Sequence, residues 1–233
     1  MRPILFLLFT LAQVCVAEAA GPVTHIYLAG KWAQFLGIPA KQQQIDFLAG
    51  NLFPDIRYMG EICRHETHEP NLSLEDVKKS PTPFRMGMRL HAYIDEKREE
   101  LVELWGIYSH VEAFAEGHKA TLLKLVEDEI LYEKMSIPPI MQALAVIPEE
   151  ELAFGLSPQS LQAWHEFLLQ YLSLRPSQLL EQLAMQNRPL FDVPPQTVKL
   201  WSKELPKLAA EQVLREYVNC LVESFIHTFL HSP

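Results

Sequence analysis

The chain has 233 residues, of which 48% are hydrophobic and 21% charged. That length suits one domain with a packed core, and the composition excludes a disordered chain. The formal net charge of −9 excludes a general attraction to phosphate polymers or anionic membranes. It leaves room for an enzyme whose local positive charge comes from bound metal ions.

Residues 1–19 read as a signal peptide: Arg2 is followed by an apolar stretch from Ile4 to Ala12, then by the small-x-small pattern Ala17-Glu18-Ala19. Export to a periplasm or the medium is expected, with Ala20 as the first mature residue. The apolar part is shorter than the roughly 20 residues of a membrane span, and no later run fills that role, so the mature chain carries no transmembrane segment. Cleavage leaves Cys63 and Cys220. They are free to pair in an oxidising compartment or to stay as two separate thiols.

Beyond residue 20 the apolar pattern is helical. Residues 84–105 and 158–172 recur at three- and four-residue steps, and so does the segment from Leu208 through Val218 and Phe225 to Leu230. No stretch alternates with period two, so no strand is predicted. Prolines fall between the periodic segments and mark joints among roughly eight to eleven helices. Pro54 ends a helix, while Ser157-Pro158 and Glu204 to Pro206 look like helix entries. The expectation is an all-α, single-domain multi-helix bundle over residues 20–233. Residues 20–135 carry the chemistry and 136–233 mainly pack.

The chemical groups cluster early. Four of the nine histidines, His25, His65, His68 and His91, lie with Asp55 and Asp95 inside one short span. Imidazole nitrogens and carboxylate oxygens are ligands zinc accepts readily. His91 and Asp95 stand at i and i+4, on one face of a helix, among the apolar Leu90, Ala92, Tyr93 and Ile94. A polar pair in such surroundings needs partners, and a metal is one solution. Asp55 follows Pro54 into a loop, where it serves as ligand, catalytic residue or cap of the next helix. Cys63 and His65 lack the second cysteine pair of a zinc knuckle. If Ala20 is the mature start, its amine and the His25 imidazole can bind the same ion. The run Glu127-Asp128-Glu129 reads as a solvated face. Glu223, His227 and His231 share a helix face near the chain end, where solvation is the default.

The order Thr24-His25, Pro54-Asp55, Thr67-His68, His91-x-x-x-Asp95 resembles the zinc-dependent phospholipase C family, whose superfamily includes the fungal single-strand nucleases. The resemblance covers about residues 20–135. It implies a helical protein with a multi-zinc site between helices, hydrolysing phosphodiester bonds. It implies that the Ala20 amine and His25 hold one zinc, that Asp55, His68 and His91 hold a second, and that Asp95 bridges them. His65 and Asp128 are candidates for an additional metal contact. The family begins its mature chain with tryptophan and has a further histidine after the bridging aspartate; here those places hold Ala20 and the run Glu96 to Leu101. No second His-x-x-x-Asp/Glu pair follows, so two zinc ions have ligands and a third would have to draw on the run Glu127 to Glu129.

On this reading two ions activate a shared water. Asp55 is a ligand or the general base, and Arg57 and Arg64 bind the substrate phosphate. Phe53, Ile56, Tyr58 and Met59 offer an apolar rim for a phospholipid or else serve as ordinary core residues. Nucleic acid ranks second because of the negative charge balance. The competing accounts are a single-strand nuclease, a non-catalytic helical protein with a residual structural zinc, and a helical interaction module without metal.

Overall fold

Apolar residues at helical spacing, punctuated by prolines, leave the backbone one economical way to satisfy its own donors and acceptors. The computed structural model describes residues 19–38, 41–59 and 61–231; all but the last residue of the expected signal peptide 1–19, with Cys15, lies outside them. Among the described residues thirteen α-helices follow one another: α1 (Pro22–Leu36), α2 (Lys41–Leu52), α3 (Arg64–Thr67), α4 (Leu74–Lys78), α5 (Pro83–Trp105), α6 (Tyr108–Val111), α7 (Lys119–Leu131), α8 (Ile137–Ala143), α9 (Glu149–Leu152), α10 (Pro158–Leu172), α11 (Pro176–Met185), α12 (Pro195–Leu208) and α13 (Gln212–His231). A 3-10 segment, Phe53–Met59, continues α2. The fold is all-α, and no strand occurs among the described residues. Nor is any described helix long and apolar enough to cross a membrane.

The three strongly periodic stretches become α5, α10 and α13. The count exceeds the expected eight to eleven because α3, α6 and α9 have only four residues each, too few to display a period. One expected helix entry is corrected. Pro206 does not start a helix but sits inside the last turns of α12, which begins after Pro194. Val198, Trp201, Leu205 and Leu208 form one fully buried face there, and its burial outweighs the backbone hydrogen bond that Pro206 removes.

The acidic run is a second correction. Glu127, Asp128 and Glu129 are all buried, because α7 is covered on several sides. Successive helical positions point about 100° apart, so each carboxylate meets a different neighbour. Glu127 accepts from Arg98 Nε (3.0 Å) and Tyr217 OH (2.8 Å). Glu129 accepts from Arg175 Nε (3.0 Å) and Ser177 N (2.9 Å). Asp128 accepts from Val23 N (3.1 Å), Thr24 N (2.9 Å), Thr24 Oγ1 (2.8 Å) and Tyr171 OH (2.9 Å). Gly21 at the N-cap of α1 has no side chain to offer. Asp128 therefore caps α1 from another helix, satisfying its first-turn donors and complementing the helix dipole. Burial pushes the Asp128 carboxyl up to about 6, against the four donors that hold it down.

A buried pair in the second half has a pH signature. His165 on α10 places Nε2 2.8 Å from Glu151 Oε2 and Nδ1 3.1 Å from the Leu144 carbonyl. Burial pulls His165 down, but the Glu151 carboxylate overrides it and the net shift is upward. Glu151 is also raised, burial outweighing the imidazole. Both groups thus bind protons more tightly in the folded state. For His165 the stabilisation is complete below its unfolded value near 6.5 and disappears as pH rises through the higher folded value. Thermal melts across pH 6 to 9 should show wild-type stability falling by on the order of 1 kcal/mol more than that of His165→Gln. Parallel pH profiles would exclude the pair as the cause.

Candidate metal centre

Four chain segments converge on one buried point. His25 comes from the first turns of α1, which Asp128 anchors. Asp55 comes from the 3-10 segment after α2, His68 from the residue closing α3, and His91 with Asp95 from the middle of α5. All five side chains are buried. Asp95 is the hub: its carboxylate lies 3.1 Å from His25 Nε2, 3.3 Å from His68 Nε2 and 3.5 Å from His91 Nε2. His91 Nε2 is in turn 3.9 Å from Asp55 Oδ1. The His25 and His91 rings stack at 3.7 Å, nearly parallel.

Outer partners fix the direction of the imidazoles. His91 Nδ1 donates to the Asn51 carbonyl (2.8 Å), and Asn51 Nδ2 donates to the Gly87 carbonyl (3.2 Å). This tautomer leaves the Nε2 lone pair facing the cluster. Thr67 Oγ1 donates to the Pro54 carbonyl (3.2 Å) and lies 2.9 Å from His68 Nδ1. With its proton committed to Pro54, the hydroxyl accepts from Nδ1, and the His68 Nε2 lone pair also faces inward. Burial pulls both His25 and His68 down to about 4. Both are therefore neutral at pH 7, the form that ligates metals.

The close nitrogen–oxygen approaches are not hydrogen bonds. Both ring nitrogens of His25, Nε2 of His68 and of His91, Oδ1 of Asp55 and Oδ2 of Asp95 are buried without a hydrogen-bond partner. An unsatisfied buried polar atom costs about 1–3 kcal/mol. A neutral imidazole offers one lone pair, so five side chains present one free ligand atom each, and an ion is the partner that they can share. Two ligand groups are ready-made, His25/His91/Asp95 and Asp55/His68/His91, with the ligating atoms of each within 4.8 Å of one another. Bonds of about 2 Å span such distances after small side-chain shifts. These buried His/Asp groups can hold a metal ion.

The remaining predicted residues divide. The backbone nitrogen of Ala20 belongs to the cluster, donating to Asp95 Oδ1 at 2.9 Å. Arg57 Nη2 approaches Asp55 Oδ1 (3.2 Å), and Arg64 Nη2, on a partly exposed side chain, approaches Asp95 Oδ2 (3.6 Å). Each arginine thus stands at one carboxylate of the centre. His65 is exposed on α3, away from the ligand groups. Asp128 is in neither group, its oxygens being taken by α1 and Tyr171. Cys63 and Cys220 are free thiols. His227 and His231 stack on each other at the surface of α13.

No family model, curated protein or solved structure matches the chain. The chemistry must therefore be argued from these residues.

Sequence reasoning missed Asn51 and Thr67, which orient two imidazoles, and Lys124, whose Nζ lies 3.1 Å from Tyr58 OH beside the centre. Nothing in the local pattern of these three distinguishes them from ordinary polar residues.

Proposed function

We propose that the chain is an exported, zinc-dependent phosphodiester hydrolase of the phospholipase C type. What carries the reading is the set of orphaned ligand atoms on three histidines and two aspartates, contributed in the order that resembles that family. When bound, the ions acidify a water and draw charge from the phosphate oxygens. Asp55 and Asp95 hold the ions and fix their spacing. Asp55 also lines the cavity beside Ala20, so it is placed to orient the attacking water. With metal on the two carboxylates, Arg57 and Arg64 would be free to hold phosphate oxygens.

Cleavage before Ala20 would turn the nitrogen at 2.9 Å from Asp95 into a free amine, adding a ligand next to His25. Mass spectrometry of the exported protein reads this directly.

A lipid substrate is favoured over nucleic acid by the cavity on the α5 side of the centre. Its lining joins Asp95 with Glu96, Glu99, Glu100 and Glu103, against the single cation Arg64. Such an acidic approach repels a polyanion. The test is elemental analysis of the purified mature protein, followed by zinc-dependent turnover of lecithin and of single-stranded DNA. Bound zinc with faster lecithin turnover is expected. Zinc without turnover of either would reduce the centre to a structural one, and absence of zinc would end the proposal.

A further inference from the structure

Beside Ala20 and Asp55 lies a second cavity, small and mostly apolar, of about 80 Å³, lined also by Tyr58, Lys124, Trp164 and Phe191 among others. Two groups on its wall have hydrogen-bond donors to spare. The Trp164 indole N–H is buried with no partner. Lys124 Nζ, half-buried, carries three donors and gives one to Tyr58 OH at 3.1 Å; among the described residues it has no ion pair. The second carboxylate on this wall, Asp192, lies 3.6 Å from His118 Nδ1. Tyr58 OH also accepts from Arg57 Nη2 (3.1 Å), and the Arg57 and Lys124 cations both stand against the Tyr58 ring, at 4.4 and 5.5 Å.

An ammonium partly withdrawn from water with no carboxylate in contact is costly; Asp55 on the same wall and Asp95 attract it only from a distance. A tyrosine that holds it in place beside a metal centre gives that charge a fixed direction. We infer that Lys124, positioned by Tyr58, is a phosphate-binding residue that takes an anionic oxygen of the substrate. This rests on the hydrolase reading and deepens it: the substrate phosphate is held between the ions and a protein cation. Trp164 Nε1 is the second donor to the same anion. The apolar remainder of the wall is suited to the uncharged group esterified to that phosphate.

The test uses inorganic phosphate as probe and the full mature protein, with and without zinc, in titration calorimetry. Lys124→Met should weaken phosphate binding by about tenfold or more, the loss of one charge-assisted hydrogen bond. Zinc content should be unchanged, and Lys124→Arg should stay within about threefold of wild type. If Lys124→Met fails to fold, Tyr58→Phe keeps the ammonium but frees it, and should weaken binding by about threefold. Equal phosphate affinity in wild type and the folded variant would overturn the inference while leaving the hydrolase reading intact. Lys124-dependent phosphate binding in a protein that takes up no zinc would do the reverse. A wild-type protein that binds no phosphate in either form would also overturn the inference, with zinc-dependent turnover then deciding the hydrolase reading alone.

Discussion

Asp95→Asn is expected to abolish metal uptake while leaving the metal-free protein at least as stable as wild type. In the metal-free state the Asp95 carboxylate faces Nε2 of three imidazoles at 3.1–3.5 Å, two of them held neutral by burial, with no aligned hydrogen bond. Asparagine keeps the shape and replaces one oxygen with an amide that can donate to such a nitrogen. The Ala20 N–H keeps its acceptor if the remaining oxygen takes the Oδ1 place. What disappears is the negative charge at the hub of the ligand set, without which two cations cannot sit close together. Zinc should raise the melting temperature of wild type, since a ligand at about a thousand times its Kd adds about 4 kcal/mol. It should leave Asp95→Asn unmoved. Turnover of a phosphodiester should fall by about a thousandfold, matching roughly 4 kcal/mol of lost transition-state stabilisation. A variant that still binds zinc as wild type does would remove Asp95 from the centre and with it the proposed chemistry.

The legible parts of this site are those carried by local spacing. His91 and Asp95 share a face of α5 because i and i+4 always do, and their apolar neighbours foretell burial. Pro54 marks the end of α2 and so the place where Asp55 leaves the helix, although a 3-10 segment rather than an open loop receives it. The choice of His68 over His65 was harder. Three residues apart on a short helix and its cap, they look alike in sequence, and only the packing of Thr67 beneath Pro54 turns one inward and leaves the other in solvent. The acidic run of α7 misleads for the opposite reason. Three successive charges satisfy the rule for a solvated face, yet each has its own partner from a distant segment, Arg98, Thr24 or Arg175. Pairings between remote residues leave no periodic trace, so Asp128 as the cap of α1 and Lys124 beside Tyr58 emerge only in three dimensions. The fold class was legible because it depends on period; the outer partners of the imidazoles depend on tertiary contact.

Gly87→Ala should be among the most damaging small substitutions in the molecule, and its damage should reach the metal. Gly50 on α2 and Gly87 on α5 let the two backbones approach more closely than any side chain allows. A methyl group on Gly87 would lie 2.6 Å from Asn51 N and closer still to the Phe47 carbonyl oxygen; one on Gly50 would overlap the Phe84 carbonyl. The obstructing atoms are backbone, so no rotamer change relieves them and the helices must separate. Overpacking of this kind costs about 3 kcal/mol, or roughly a 10 °C drop in melting temperature for a chain of this size. The separation acts where Asn51 spans the two helices, accepting from His91 Nδ1 and donating to the Gly87 carbonyl. Loosening that bridge frees the His91 ring, and loss of such an outer contact lowers metal affinity by about 10–100-fold. Gly30→Ala is the control: its methyl group meets nothing within 4 Å on α1, so the change should be neutral or stabilising by up to about 1 kcal/mol. Melts and zinc titrations of the two variants side by side decide the matter. If Gly87→Ala matched Gly30→Ala in both, close approach of α2 and α5 would not be what aims His91. If only Gly87→Ala loses stability and zinc together, the glycines are as much a part of the centre as its ligands, because they set how near the Asn51 carbonyl comes to the imidazole it orients.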